Sequence, residues 1–295
     1  MIEFKNPGLP DREWVLDLLR SSDYQGCEYT FGNLFIWGGV FGTKIARYKD
    51  FYLIKNRAAE AQPTYSYPAG RGDFREALEL LAEDAREAGY RFVLSGLTEN
   101  KLAVIGDWAP DGFEVKPVRG FWDYIYRVSD LIELKGSKFQ PKRNHINRFI
   151  RENDWSYEAL TLGNLQECRD MNDHWEEENM KRDPSGLSHE KTAIQKAFDY
   201  FEALGLEGGV LRSNGKVVAY TMGERLNSNT FCTHIEKADR ELHGAYSMMN
   251  HEFAVNHLSG YTYVNREEDM DNPGLRRSKL SYHPEIILEK HRAEF

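Results

Sequence analysis

Between residues 207 and 265 the spacing of apolar positions changes period twice. Gly208 to Arg212, Lys216 to Leu226 and Thr230 to Ala238 read as strands. Ala245, Met248, Met249 and Phe253 then recur at three- and four-residue intervals, the buried stripe of a helix running to Leu258. Tyr261 to Asn265 is a further apolar strand. Ser213-Asn214-Gly215 suits the turn between the first two strands, because Asn and Gly tolerate the positive φ that a two-residue hairpin demands. Asn227-Ser228-Asn229 turns the chain again. The helix opens at His243-Gly244-Ala245, and the backbone N–H groups of its first turn lack partners within the helix, which suits an anion.

The first half repeats this order in different letters. Asp11 to Arg20 and Tyr29 to Trp37 read as helices, Thr43 to Tyr48 and Phe51 to Lys55 as a hairpin, and Thr64 to Tyr67 as a third strand. Asp73 with Glu76 makes a capping-box-like start, Phe74, Ala77, Leu78, Leu81 and Ala85 form the apolar stripe, and Gly89 ends the helix. Strand Arg91 to Ser95, a helix near Glu99 to Asp107, and strands Phe113 to Val118 and Trp122 to Val128 follow. In the second half Trp155 to Leu160 is a strand, and Asn164 to Met180 and Ser188 to Leu204 are helices. Pro273 to Leu280 (helix) and His283 to Leu288 (strand) close the chain. A mixed-sheet α/β protein made of two copies of one unit, residues 1–129 and 130–295, is the economical reading. Asp73 already caps its helix in the first copy, so a donor site is expected in the second.

Leu134 to Phe149 joins the copies and is locally basic. Pro141 fits the first turn of a helix, where a missing N–H costs nothing. At about 100° per residue, Ile146, Phe149 and Ile150 share a face with Lys142, which therefore points at protein. A cation there needs an anionic partner. That partner is either a carboxylate of this chain or a phosphate or carboxylate of a ligand.

Composition narrows the classes. The 295 residues, 41% hydrophobic and 29% charged, suffice for two cores. A net charge of −9 argues against wholesale coating of nucleic acid and leaves local basic segments as the route to one. Cys27, Cys168 and Cys232 are isolated, so they read as free thiols in a reducing compartment, with no disulfide and no metal ligands expected. No apolar run approaches the about 18 residues a membrane span needs, and no export signal opens the chain, so a soluble, cytoplasmic protein is expected. His251-Glu252 is not followed by a second histidine at Val255, and neither a G-x-S-x-G elbow nor a phosphate-binding G-x-x-x-x-G-K-[S/T] loop occurs. Metalloenzyme, hydrolase and kinase readings recede. The acidic run Asp173 to Glu178 reads as a solvated helix face.

Three segments carry a more specific signal: Lys142-Arg143-Asn144-His145-Ile146-Asn147-Arg148-Phe149, Asn265-Arg266-Glu267-Glu268-Asp269, and Gly274-Leu275-Arg276-Arg277-Ser278-Lys279-Leu280-Ser281-Tyr282-His283-Pro284. With Tyr29 to Leu34, Trp37 and Asp123 to Tyr126, they resemble the C-terminal domain of phosphatidylglycerol lysyltransferases over nearly the whole chain. The resemblance implies two tandem GNAT-like acyltransferase domains, related to the Fem-type aminoacyl transferases. It implies transfer of an amino acid from aminoacyl-tRNA, the co-substrate, to an amine or hydroxyl on a small molecule or lipid headgroup, with no further cofactor required. Full-length lipid synthases carry a large membrane-embedded portion ahead of this domain, and no stretch of that hydrophobicity occurs here. GNAT proteins cradle coenzyme A pyrophosphate on [R/Q]-x-x-G-x-[G/A]; here Arg240-Glu241-Leu242-His243-Gly244-Ala245 puts His243 at the first Gly. His243, Gly244 and Ala245 are the cofactor-binding candidates should acyl-coenzyme A be the donor instead. A binding module that kept the cleft and lost the chemistry is the further alternative.

Ester aminolysis needs a base, donors for the oxyanion and positioning of both substrates. The cleft is expected where the strand ending at Ala238 splays from the one ending at Asp269. His234 and Glu236 share a face by the period of two, as do Asn265, Glu267 and Asp269, with Arg266 and Glu268 opposite. Glu236, Glu268 and Asp269 are the candidate catalytic carboxylates, able to take a proton or hold an α-ammonium. Arg276 and Lys279, three apart on a helix, can both face a phosphate or oxyanion. Lys142, Arg143, Asn144, His234, Asn265, Glu267 and Tyr282 complete the expected substrate contacts.

Overall fold

The computed structural model describes residues 2–57, 62–109, 111–180 and 187–295. Helices α1 (Arg12–Ser22) and α2 (Phe31–Phe41) lead into β1 (Lys44–Tyr48), β2 (Phe51–Asn56), β3 (Thr64–Ser66), β4 (Ala69–Gly70), α3 (Phe74–Glu87), β5 (Val93–Leu97), α4 (Glu99–Trp108) and β6 (Glu114–Pro117). The middle of the chain holds β7 (Asp123–Arg127), α5 (Val128–Glu133), α6 (Gln140–Glu152), β8 (Trp155–Ala159), α7 (Leu165–Met180), α8 (Leu187–Asp199) and α9 (Phe201–Leu204). Then come β9 (Glu207–Ser213), β10 (Lys216–Arg225), β11 (Thr230–Ala238), α10 (Ala245–His257), β12 (Tyr263–Asn265), α11 (Pro273–Leu280), β13 (Ile286–Leu288) and β14 (His291–Glu294).

The strands form two mixed sheets, ordered β1-β2-β3-β5-β14-β6, with β4 also on β2, and β13-β7-β12-β11-β10-β9-β8. Each sheet borrows a strand across residue 130. β7 lies before that point yet sits inside the second sheet, and β14 returns from the C-terminus to lie between β5 and β6. Tyr124, Ile125 and Tyr126 are all buried, as expected of a strand covered on both faces. One apolar cluster spans both halves, with Val15, Leu18 and Phe31 packed in the same core as Val210, Tyr220 and Met222.

Asn214 and Gly215 take φ of 50° and 76°, the turn that their residue types demand. Asp73 caps α3 through a 3.0 Å hydrogen bond from the Arg75 N–H to its carboxylate. The expected helix from Ser188 to Leu204 breaks at Tyr200, where α8 and α9 separate. The last two expected strands are shorter than their apolar runs, beginning at Tyr263 and Ile286. Among the residues expected on the buried face of α6, Ile146 and Phe149 are buried against α10, but Ile150 is 44% exposed. Burial of the other two contributes about 1.5–3 kcal/mol each and fixes α6, and with it Lys142. In the acidic run of α7, Glu176 turns inward, with Lys191 at 2.9 Å. No helix among the described residues is long and apolar enough to cross a membrane.

Candidate functional site

β11 and β12 run parallel only from Thr230↔Tyr263 to Cys232↔Asn265 and then part. Side chains cross the resulting slot. His234 Nδ1 lies 2.7 Å from Glu267 Oε1 and its Nε2 3.1 Å from Glu224 Oε1, while Arg266 reaches Glu236 at 2.7 Å. The β10–β11 register slips between Met222↔Ile235 and Gly223↔Thr233, leaving His234 as a bulged residue; a bulge re-aims its side chain out of the ladder. The first half supplies the rest of the floor. The Gly32 N–H donates to Glu224 Oε1 at 2.6 Å, and Asn33 Nδ2 donates to Glu267 Oε1 at 2.8 Å. Burial alone would lower the pKa of His234, but Cys232 and the two glutamates reverse this and hold the imidazole protonated well above its usual range.

The strict alternation expected through Asp269 stops at Asn265. Glu267, Met270 and Asp271 have φ of 57°, 50° and 57°, a left-handed turn that aims consecutive side chains in unrelated directions. Asn265 holds this turn by accepting from the Glu267 N–H at 2.7 Å, and its Nδ2 donates to Asp123 at 2.9 Å. Asp269 points away from the slot. Arg119, Arg276 and Tyr124 reach it at 3.0, 2.7 and 2.5 Å. Burial raises its carboxyl, but the bonds from Arg276 and Tyr124 outweigh that and bring it down to about 2. Arg276 is thus occupied by Asp269 and, at 2.7 Å, by Asp271. Lys279 turns inward and donates to the carbonyls of Arg266 and Glu268. The two cations expected to face one ligand instead hold the loop.

Glu268 enters a cage around Lys290. The Lys290 ammonium lies 2.8 Å from Asp123, 2.7 Å from Glu28 and 3.3 Å from Glu268, with Cys27 Sγ at 3.7 Å. Burial opposes charge on Lys290, but Asp123, Cys27 and the two glutamates keep it protonated well above the ordinary range. Burial also raises the Glu268 carboxyl to about 8, with Lys290 opposing and Asp123 assisting. Its side chain is 24% exposed, so it remains within reach of a ligand. Motif reasoning passed over Glu28, Glu224 and Lys290. Asp123 offers one signal, a carboxylate directly before the apolar run Tyr124-Ile125-Tyr126.

Lys142 closes one end of the slot. Its ammonium stands 3.6 Å from the centroid of the Tyr282 ring and donates to Ser281 Oγ at 2.7 Å, and among the described residues no carboxylate lies within ion-pair distance. Burial and the neighbouring Arg266 charge bring Lys142 down to about 8, with Glu236 opposing. Arg143 faces away and donates to the carbonyls of Leu134 and Gly136, and Asn144 is exposed beside Gln140. At the start of α10, Gly244 has φ of 89°, and a Cβ on it would run into the His145 carbonyl oxygen. That glycine lets α6 approach, while His243 Nε2 meets His145 Nδ1 at 2.8 Å.

The family model for the C-terminal region of phosphatidylglycerol lysyltransferase matches residues 19–294. The chain belongs to that family. A conserved protein of unknown function from Bacteroides thetaiotaomicron is 42% identical, covers 100% of both chains and superposes with a TM-score of 0.95. L-PGS from Bacillus licheniformis shares 18% identity over 97% of this chain and 92% of its own, at a TM-score of 0.66. FemX shares the fold at a TM-score of 0.60 and 11% identity, covering 99% and 97%. The likeness to FemX is one of fold. An uncharacterized Mycoplasmoides gallisepticum protein is 24% identical over 188 residues, 63% of this chain, and the match spans 60% of that relative's length.

Proposed function

We propose that this protein is an aminoacyl transferase that moves an aminoacyl group from aminoacyl-tRNA to an amine or hydroxyl, on a small molecule or a lipid headgroup. The carrying observation is the charge of the slot. Glu28, Glu267 and Glu268 are partly exposed there, with Asp123 and Glu224 buried behind them against the buried cations Lys290 and His234, an excess of negative charge that favours an ammonium. An aminoacyl ester carries such an ammonium, and a simple acyl group does not.

In the transfer, the acceptor nitrogen or oxygen bonds to the ester carbonyl carbon and the carbon–oxygen bond to the terminal ribose breaks. Glu268 takes the acceptor's proton and returns it to the departing ribose oxygen, a role suited to a carboxyl at about 8. Lys142, without a carboxylate of its own, meets the developing oxyanion or a terminal phosphate. Its helix, with Arg148 and Arg151 exposed about the single carboxylate of Glu152, supplies the local basic surface for tRNA. The His145 carbonyl beside Gly244 favours this donor over acyl-coenzyme A, whose pyrophosphate would need the same approach.

The test offers the purified chain each aminoacyl-tRNA, labelled in the amino acid, with amine and hydroxyl acceptors and anionic lipid vesicles. Expected is loss of label from one tRNA family above the buffer rate, with Lys142→Ala and Glu268→Gln much slower. Label leaving every tRNA at the buffer rate, or turnover of acetyl-coenzyme A in its place, would overturn the proposal.

A further inference from the structure

Among the described residues, two groups of side chains bring metal-ligating atoms within 4.8 Å of one another: Cys27, Asp123 and Glu268, and Cys232, His234 and Glu267. The first is filled by the chain's own cation, since Lys290 Nζ contacts all three. The second has no such occupant. Cys232 and His234 stand two apart on β11, and the left-handed turn at Glu267 delivers the third donor from across the slot. Sγ and Oε1 are 3.7 Å apart, and Nδ1 and Oε1 2.7 Å.

We propose that Cys232, His234 and Glu267 bind a thiophilic divalent ion of the zinc class, with Glu224 orienting the imidazole from behind. Tetrahedral zinc sits about 2.3 Å from sulfur and about 2.0 Å from nitrogen or oxygen, so its ligand atoms stand roughly 3.3–3.7 Å apart. The sulfur–oxygen distance already matches, and the imidazole has to withdraw by roughly half an ångström. Glu224 at Nε2, itself held by the Gly32 N–H, is the outer-shell carboxylate that fixes a ligating histidine's tautomer and tilt.

The thiolate selects zinc over magnesium or calcium, which prefer all-oxygen shells. The partly exposed Glu267 side chain marks the entry side. Where the transferase reading above holds, the ion and the substrate ammonium compete for the same carboxylate, making zinc an inhibitor of the site.

The test titrates the full chain, stripped with a chelator, with cobalt(II). Expected is one equivalent bound with a near-ultraviolet thiolate-to-cobalt band. Cys232→Ser should abolish the band, Glu224→Gln should weaken binding by about tenfold or more, and Cys168→Ser should change neither. X-ray absorption of the zinc-loaded wild-type chain, expected to show one sulfur ligand, decides the matter if Cys232→Ser does not fold. Absence of stoichiometric uptake, a shell without sulfur, or a band surviving Cys232→Ser would overturn the site. With no tRNA or acceptor present, these outcomes are independent of whether the chain transfers aminoacyl groups.

Discussion

Lys142 lies with its ammonium 3.6 Å from the centroid of the Tyr282 ring, a contact joining α6 to the segment after α11. The ring face offers a cation partial compensation for lost water, but only an anion completes it. Lys142→Ala should therefore lower kcat/KM for aminoacyl transfer on the order of a hundredfold while leaving the melting temperature nearly unchanged. Steady-state kinetics beside a thermal melt separate the two effects, and a large loss of stability would instead make Lys142 structural.

Transfer should show a narrow bell in pH with its maximum near 8. Glu268 accepts a proton only when ionised, so activity rises as pH passes about 8, whereas Lys142 loses its charge as pH rises through about 8. Glu268→Gln should remove the ascending limb from whatever activity remains. A pH profile of kcat/KM on both proteins is the measurement.

The same carboxyl leaves a mark on folding. Its native pKa of about 8 stands above the ordinary glutamate value of 4.5, so between the two the native chain holds a proton that the unfolded chain has released. This contribution to stability is fully present below 4.5 and is lost as pH rises through about 8. Urea midpoints across that window should fall less steeply in Glu268→Gln than in the wild type.

Removing the cation of the buried cage is expected to be costly. Lys290→Met leaves Asp123, Glu28 and Glu268 facing one another without compensation, a loss of about 3–5 kcal/mol at neutral pH. The deficit should shrink in acid, where protonation relieves the repulsion. Denaturant unfolding at neutral and acidic pH tests this, and an equal loss at both would point to packing.

Gly244→Ala tests the approach of α6 to α10. Its φ of 89° disfavours any side chain, and the added Cβ meets the His145 carbonyl oxygen. A loss of roughly 1–3 kcal/mol is expected from the backbone conformation alone. Displacement of α6 should also move Lys142 and reduce transfer beyond the loss of folded protein, which activity per folded molecule would reveal.

Local patterns determined most of the scaffold. Period-two and period-3.6 spacing placed β9 to β11 and α10, Asn214 and Gly215 marked their turn, and Asp73 marked the start of α3, because each signal lies within a few adjacent residues. The Lys142 face was legible for the same reason. Residue order alone left open the exchange of β7 and β14 between sheets, since strand partners are chosen by long-range packing and His291–Glu294 carries little apolar signal. It also left open the fates of Glu267, Glu268 and Asp269. Three consecutive carboxylates look alike in a sequence, but a left-handed backbone turn sends one to His234, one to Lys290 and one to Arg276, partners that lie far away along the chain or across the turn. Tertiary structure decided which carboxylate is neutralised, which is raised toward neutrality and which faces an imidazolium, because the energy of a charge depends on what surrounds it once water has been excluded.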